Sequence, residues 1–496
     1  MIRFRPLAAG LLAAATLLTP VSTAGAQTRD DVVIGIVLEP PHLDPTAGAA
    51  AAIDEIVYAN VFEGLTKIEA DGSITPLLAT SWETSADGLV WTFDLADGVT
   101  FSDETPFTAE TAVFSLDRAR ADESENAQKG LFSAIAGVEA VDDDTLRITL
   151  SRPEGNLLFN LGWGDAVMVS PDSAETNKSE PVGTGPFTVE RWVKGDRIAL
   201  ARRDDYWGEA PALARATFRI IPDPATAVTN LMSGDVDAFP NIPAPESILT
   251  LEADPRFSAV VGTTEGETIL AMNNTRAPLD DVRVRRAIAK AIDRQAIVDG
   301  AMFGLGTPIG SHFAPHHPAY ADLTDVNAYD PDGARALLAE AGVETLTLSL
   351  KLPPPVYARR GGEIVAAQLR AVGIETEIVP LEWAGWLEQV FTNKDFDLTI
   401  VSHTEPLDIG IYARDDYYFG YRSQAFDAVM AELEATSDPA ARDALYAQAQ
   451  TILAEEAPNA FLFQLAKAGV AAAGLEGLWE NAPVQANDLT DARWAE

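Results

Sequence analysis

The run Val32–Leu38 is apolar throughout and rich in β-branched side chains, with Asp30-Asp31 before it and Pro40-Pro41 after it. That pattern predicts a strand buried on both faces and ended by a forced loop. From Ile53 to Leu65 the apolar positions have amphipathic, helix-like spacing. Short alternating segments then take over, separated by Asp71-Gly72, Asp87-Gly88 and Asp97-Gly98. Leu89–Leu95 and Leu146–Leu150 alternate with period two, as half-buried strands do. Thr108 opens a predicted helix to Arg120, with Ala109, Ala112, Val113 and Leu116 on one face and Glu110 supplying negative charge in the first turn. The third position after that cap is Thr111 rather than Glu or Gln, so the capping box reads as incomplete.

Val182 to about Val261 is again mixed, with a helix over Ala225–Ser233 ahead of Gly234. The second half alternates regularly. Asp280 or Asp281 caps a helix carrying Val284, Ile288 and Ile292 on one face. Helix Asp332–Ala341 stops at Gly342 before strand Thr345–Leu350, and helix Glu363–Val372 stops at Gly373 before strand Ile374–Val379. A further apolar strand is read at Phe396–Val401. Such alternation implies an α/β architecture, a sheet with helices on its faces. Neither a repeat of 20–50 residues nor a low-complexity linker is evident.

Length and charge narrow the picture. The chain has 496 residues, more than one core usually sustains, so two or three domains are expected. Hydrophobic residues make up 47%, which favours folded domains over an acidic disordered polymer. There is no cysteine, which removes disulfide scaffolds, thiolate metal sites and thiol nucleophiles. A net charge of −40 repels phosphate backbones and anionic lipid, so no nucleic-acid or membrane-surface partner is expected. Residues 1–26 read as a signal peptide: Arg3 and Arg5, an apolar stretch from Leu7 to Leu18, Pro20, and the triplet Ala24-Gly25-Ala26 before the expected cleavage. The stretch would span about 18 Å as a helix, against a hydrocarbon layer of about 30 Å. Export without a lipid anchor is therefore expected, as a free periplasmic protein.

Candidate chemistry is sparse. Three of the five histidines lie in Ser311-His-Phe-Ala-Pro-His-His-Pro318, where His312 and His316 could clip a metal on a helix. Pro315 and Pro318 favour a loop instead. Asp142-Asp143-Asp144 lacks the spaced ligands of a calcium loop and reads as a solvated turn. The common hydrolase, nucleotide and metalloprotease motifs are missing, so no catalytic residue, cofactor or metal is assigned. The densest polar and aromatic stretch is His403–Tyr421, directly after the predicted strand Phe396–Val401. Open α/β sheets place ligands at such strand ends. Glu405, Asp408 and Asp415 suit a ligand ammonium, and tyrosines such as Tyr412 give flat walls with hydroxyl tips. An ordinary packed loop is the competing reading.

A series of segments resembles one family in order along the chain. They are Glu39-Pro-Pro-His-Leu-Asp-Pro45 with Val61-Phe-Glu-Gly-Leu-Thr66, then Pro76–Trp82, Asp87–Phe93 and Gly98–Phe101. The most specific is Gly183-Thr-Gly-Pro-Phe187 followed by Asp204-Asp-Tyr-Trp207; Ser233–Asp237, Asn273–Asp293 and Leu337–Gly342 continue the series. Together they resemble the peptide/nickel class of extracellular solute-binding proteins, family 5, which deliver ligand to ABC importers.

The resemblance implies a two-lobed periplasmic-binding-protein fold with an extra third domain. Lobe I would be 27–58, 180–268 and 470–496, the extra domain 59–179, and lobe II 269–469, with crossings near 269 and 469 as the hinge. Gly183-Thr-Gly-Pro186 would be a tight turn between domains rather than a phosphate loop. Peptide-binding members hold the ligand's α-ammonium on a carboxylate after the strand matching the one that ends here at Val401, which points to Glu405 or Asp408. The place of the arginine that grips a ligand carboxylate reads Leu352-Pro-Pro-Pro-Val-Tyr357, leaving Arg414 or Arg359 as substitutes. A nickel-type member needs a histidine at the cleft, for which His403 is available. Trp383 and Trp386 could cover an organic ligand, and His42 lies in the first matching loop. The expected function is capture of a small organic ligand, a short peptide or amino-acid derivative, by a monomer that passes it to a membrane permease without a chemical step. Metal chelates and oligosaccharides are alternatives within the class, and a secreted carboxylate-dependent hydrolase is the alternative outside it.

Overall fold

The computed structural model describes residues 29–48, 50–436 and 438–495. The expected signal peptide lies outside the described residues. Two long strands, Phe257–Met272 and Asn459–Ala472, pair antiparallel in the middle of an 11-stranded sheet. On one side follow Leu398–His403, Leu346–Leu352 and Ile374–Pro380; on the other, Ala238–Phe239, Asp31–Ile36, Arg215–Ile220, Arg197–Arg202 and Phe187–Val193. The pairing of the long strands loses register between Thr263 and Glu267. A separate antiparallel sheet of four strands runs Ala79–Thr84, Val90–Leu95, Thr145–Leu150 and Ile135–Ala140, with helix Ala109–Arg120 packed against it.

Apolar packing follows the sheets. Val32, Ile34 and Ile36 share a core with Phe187, Leu200, Phe218 and Leu489. Phe93, Leu116, Leu146 and Ile148 form a second core around the four-stranded sheet. Leu270, Ile288, Leu350, Leu369 and Ile400 belong to a third, and Phe396, Tyr412, Phe419 and Phe461 to a fourth on the other face of that half. Val167, Val169 and Ala174 pack with the first core rather than with the four-stranded sheet. Among the described residues no helix is long and apolar enough to cross a membrane.

Many of the acids have local work. Asp223, Asp281, Asp293, Asp330 and Asp438 each accept a backbone N–H at a helix start, which satisfies a donor the helix leaves unpaired. Asp142, Asp143 and Asp144 stand exposed in a bend ahead of strand Thr145–Leu150.

Several local expectations are corrected. The capping box of helix Ala109–Arg120 is complete, because the Thr111 hydroxyl accepts from Thr108 N–H at 2.6 Å while Thr108 Oγ1 accepts from Thr111 N–H. The amphipathic stretch Ile53–Leu65 is helical only as Ala51–Val57. Ala59 adopts a left-handed φ of 57° and the Asn60 side chain donates to Ile56 O, which ends the helix. Ile292 falls beyond helix Val282–Lys290, yet is buried with Val284 and Ile288. The helix expected from Glu363 begins at Val356, directly after the three prolines, with Gly361 and Gly362 buried inside it. Gly183 and Gly185 have no positive φ; a Cβ on Gly183 would lie 1.9 Å from Val61 O. Close backbone approach, not turn conformation, requires glycine there. The Arg203 guanidinium donates to carbonyl oxygens of this segment and of Thr100 and Phe101. Tyr206 and Trp207 both donate to the buried Glu63 carboxylate, at 2.7 and 3.0 Å.

Candidate functional site

The register break in the long strand pair opens onto a cavity of about 270 Å³. Glu265 lies at the break. Thr404, Glu405 and Pro406, just past the end of strand Leu398–His403, form one wall. The opposite wall comes from Ala51 and Asp54 on helix Ala51–Val57, and from Phe159, Trp163 and Asp165 near the four-stranded sheet. Ala482–Gln485 complete it. Four of the lining residues are carboxylates, and none is Lys or Arg. A cleft lined by one sign of charge between low-dielectric walls concentrates its field and attracts the opposite sign.

The two walls treat their carboxylates differently. Beneath the Glu405 wall, Glu267 on the long strand sits 2.7 Å from His312 Nδ1, and Asp408 sits 2.7 Å from His312 Nε2. His312 and Glu267 side chains are 3% and 2% exposed. Burial alone would lower the His312 pKa, but the charges of Glu267 and Asp408 outweigh it and raise the imidazole to about 10. Burial pushes Glu267 up to about 8 against the pull of His312. At neutral pH the imidazolium therefore ties the long strand to the loop that carries Glu405. On the opposite wall burial pushes Asp165 up to about 7, although the Trp163 indole N–H donates to it at 3.0 Å. Burial, and the charges of Asp165 and Glu55, hold the Asp54 carboxyl well above the ordinary range.

Of the residues singled out from sequence, the structure gathers His403, Glu405 and Asp408, each with a ligand atom within 4.8 Å of the others. His403 closes the strand as the ladder partner of Glu267. Its ring stacks on Tyr418, and the hydroxyls of Tyr418 and Tyr417 approach its two nitrogens at 3.2 and 3.4 Å. Tyr412 is buried behind them, stacked on Phe419 and edge-on to His312. Trp386 is buried and donates to Thr399 Oγ1, while Trp383 is exposed against its edge. Arg414 and Asp415 point to solvent, where Asp415 pairs with Arg422 at 3.6 Å. Arg359 donates to Pro353 O and Leu381 O, away from the cavity. His42 lies behind Gly48, outside the cavity lining.

His312 and His316 form no chelate. His316 bonds Glu265 at 2.7 Å and Thr263 at 2.6 Å, and His317 stacks on Phe313 with its pKa lowered to about 4, chiefly by burial. Sequence reasoning missed Asp54, Phe159, Trp163, Asp165, Glu265 and Glu267. The pair Glu265 and Glu267, interrupting a long strand in the middle of a sheet, is the one signal that could have revealed the cavity floor.

Residues 73–419 match the family model described as bacterial extracellular solute-binding proteins, family 5 Middle. The dipeptide-binding protein of Escherichia coli K12 is 28% identical over 438 residues, covering 78% of this chain and 80% of that protein. Heme-binding protein A of Haemophilus influenzae is 30% identical over 432 residues and 78% of each chain. Among solved structures, HbpA2 from Haemophilus parasuis superposes with a TM-score of 0.86 at 24% identity, covering 94% of this chain and all of that one. The match spans most of the described fold and includes the loop that forms one wall of the acidic cavity. The chain belongs to the bacterial extracellular solute-binding proteins of family 5 and is the ligand-capturing component of an ABC importer.

Proposed function

We propose that the cleft captures a small organic ammonium or zwitterion, a short peptide or amino-acid derivative, whose α-ammonium is held by Glu405. One observation carries this reading: the cavity presents four carboxylates and no basic side chain. Glu405 suits the role better than Asp408, because Asp408 is already engaged by His312. The name of the dipeptide-binding relative points the same way. Two lobes, 27–58 with 180–268 and 470–496 against 269–469, close over the ligand, and 59–179 contributes the aromatic part of one wall. We place the hinge at the register break near Thr263 and Glu267, opposite Gln464. Ligand touching both walls stabilises the closed form by its differential affinity, and that form is presented to the permease in the periplasm with no chemical step.

Native mass spectrometry of the purified protein identifies any ligand carried through purification. Calorimetry with Ala-Ala and N-acetyl-Ala-Ala then tests the anchor. Acetylation is expected to abolish binding, and Glu405→Gln to cost about 2–5 kcal/mol of affinity. Equal binding of the acetylated peptide, or unchanged affinity of the variant, would reject the ammonium reading; hydrolysis of the peptide would reject transport without chemistry.

A metal chelate is the second reading, favoured by the groupings His403, Glu405, Asp408 and Glu267, His312, Asp408 and by the name of the nickel-binding periplasmic relative of Escherichia coli K12. Tyrosine hydroxyls flank both His403 nitrogens, so a metal contact requires their displacement. Nickel-dependent thermal protection that disappears in His403→Ala would support that reading over the first.

A further inference from the structure

The α-ammonium contact uses one wall of the cavity and leaves two carboxylates on the other without work. Asp165 is 4% exposed; its Oδ2 accepts from Trp163, but its Oδ1 has no hydrogen-bond partner. Asp54 Oδ1 is likewise shut from solvent and unpartnered. That oxygen occupies the space of a missing side chain, since a Cβ on Gly164 would lie 2.3 Å from it. Gly164 thus admits the Asp54 carboxylate beside Asp165. Leaving such groups without a partner is costly in a buried site, and no Lys or Arg lines the cavity to relieve it. Trp163 and Phe159, with ring centroids 5.6 Å apart, stand on the same wall.

We infer that Asp54 and Asp165 form a second cation subsite, which takes a side-chain ammonium or guanidinium of a ligand whose α-ammonium is held at Glu405. The inference rests on the proposed function for its first anchor and narrows the ligand to a doubly cationic class: peptides containing Lys or Arg, or amino-acid derivatives with two amines. Both Oδ1 atoms are closed to solvent in the ligand-free fold, so the carboxyl groups turn toward the cavity on binding, and the bound cation then supplies the donors those atoms lack. An aromatic face beside it adds a cation–π contribution.

The test is calorimetry on the full chain, freed of carried ligand by unfolding and refolding. The probes are Lys-Ala and Ala-Lys against their norleucine counterparts, which keep the shape and drop the charge. The parent protein is expected to prefer lysine over norleucine about tenfold or more in at least one position, a scale set by the cost of unpairing a buried charge. Asp54→Asn/Asp165→Asn should lose that preference while keeping its affinity for the norleucine peptides, and Glu405→Gln should weaken both series alike. Gly164→Ala, which keeps both carboxylates but displaces Asp54, should reduce the preference and guards against misfolding of the double variant. No preference in the parent, or a preference that survives the double variant, overturns the subsite. If Glu405→Gln changes nothing while the double variant loses selectivity, the α-ammonium reading fails and the subsite stands. If no dipeptide binds, a thermal shift with 1,5-diaminopentane but not 1-aminopentane supports the subsite, and no shift with either overturns it.

Discussion

Two walls of one cleft bury acidic groups in opposite ways. Behind the Glu405 wall, Glu267 and Asp408 flank an imidazolium at 2.7 Å on each side. On the facing wall, Asp54 and Asp165 have no such cation, since no Lys or Arg lines the cavity; an oxygen of each lacks a hydrogen-bond partner, as oxygens of Glu267 and Asp408 also do despite their closeness to His312. Burial raises the carboxyl pKa on both sides, for Glu267 as for Asp165. The difference is whether the chain itself supplies the compensating cation. Where it does, the cluster is finished structure that fixes a loop to the long strand. Where it does not, the fold carries an electrostatic cost, which under the proposed second subsite a cationic ligand relieves.

The largest effect should come from removing the cation that completes the first wall. His312→Leu leaves Glu267 and Asp408 buried without their partner, and breaking a buried pair in this way costs about 3–5 kcal/mol. Urea unfolding of the ligand-free protein measures it. Adding Glu267→Gln to His312→Leu should recover part of the loss. A loss below about 1 kcal/mol in the single variant, the range of exposed pairs, would show the two walls to be alike.

The facing wall should respond with the opposite sign. Asp165→Asn keeps an acceptor for Trp163 and removes a carboxylate that the fold disfavours, so the ligand-free variant should be more stable than the parent. The Asp165 pKa rises from 3.8 to about 7 on folding. Folding therefore favours the protonated form, and stability is lost as pH climbs from about 4 to 7. A tenfold change in proton affinity corresponds to about 1.4 kcal/mol, giving a gain of the order of 2–4 kcal/mol for the variant above pH 7 and little near pH 4. His312 behaves differently. Its folded pKa lies above its unfolded 6.5, so its contribution is complete below about 6.5 and fades as pH rises toward about 10. Glu267 titrates inside that window, so it belongs to the cluster as a whole. Melting profiles over pH should thus show an alkaline decline that Asp165→Asn leaves in place and a decline between about 4 and 7 that it reduces, the rest coming from Glu55, raised to about 7, and from Asp54.

The same contrast explains what could be read from the chain alone. Strands such as Val32–Ile36 and helices such as Pro331–Glu340 carry their periodicity and caps locally, and ordered matches such as Gly183–Phe187 with Asp204–Trp207 placed the family. That Glu405 lines a cavity was legible because loops leaving the end of a sheet strand border clefts in open α/β sheets. Asp54 and Asp165 were not, because each looks ordinary among its neighbours and they meet only when segments more than a hundred positions apart fold together. His312 was noticed for its spacing to His316, yet its partners come from Glu267 and Asp408, which no local pattern joins to it. The start of helix Val356–Ala371 was hidden because Gly361-Gly362 and the three prolines before Val356 are poor helix formers.

The smallest effect should fall on Asp415, which in sequence stood level with Glu405 as an acid in the same aromatic loop. Its side chain is 76% exposed and its partner Arg422 is 71% exposed, with 3.6 Å between them. An exposed pair at that separation gains little Coulomb energy in water, gives up side-chain freedom to form, and is screened by salt, so it contributes about 0–1 kcal/mol. Asp415→Asn is therefore expected to shift unfolding free energy and peptide affinity by less than about 0.5 kcal/mol, the usual range for surface positions, with any shift shrinking further as salt is raised. If it instead weakened binding as much as Glu405→Gln, the loop would have to turn inward on ligand capture. The carboxylate that reads the ligand would then be assigned by the closed form, and not by which acids line the cavity in the structure described.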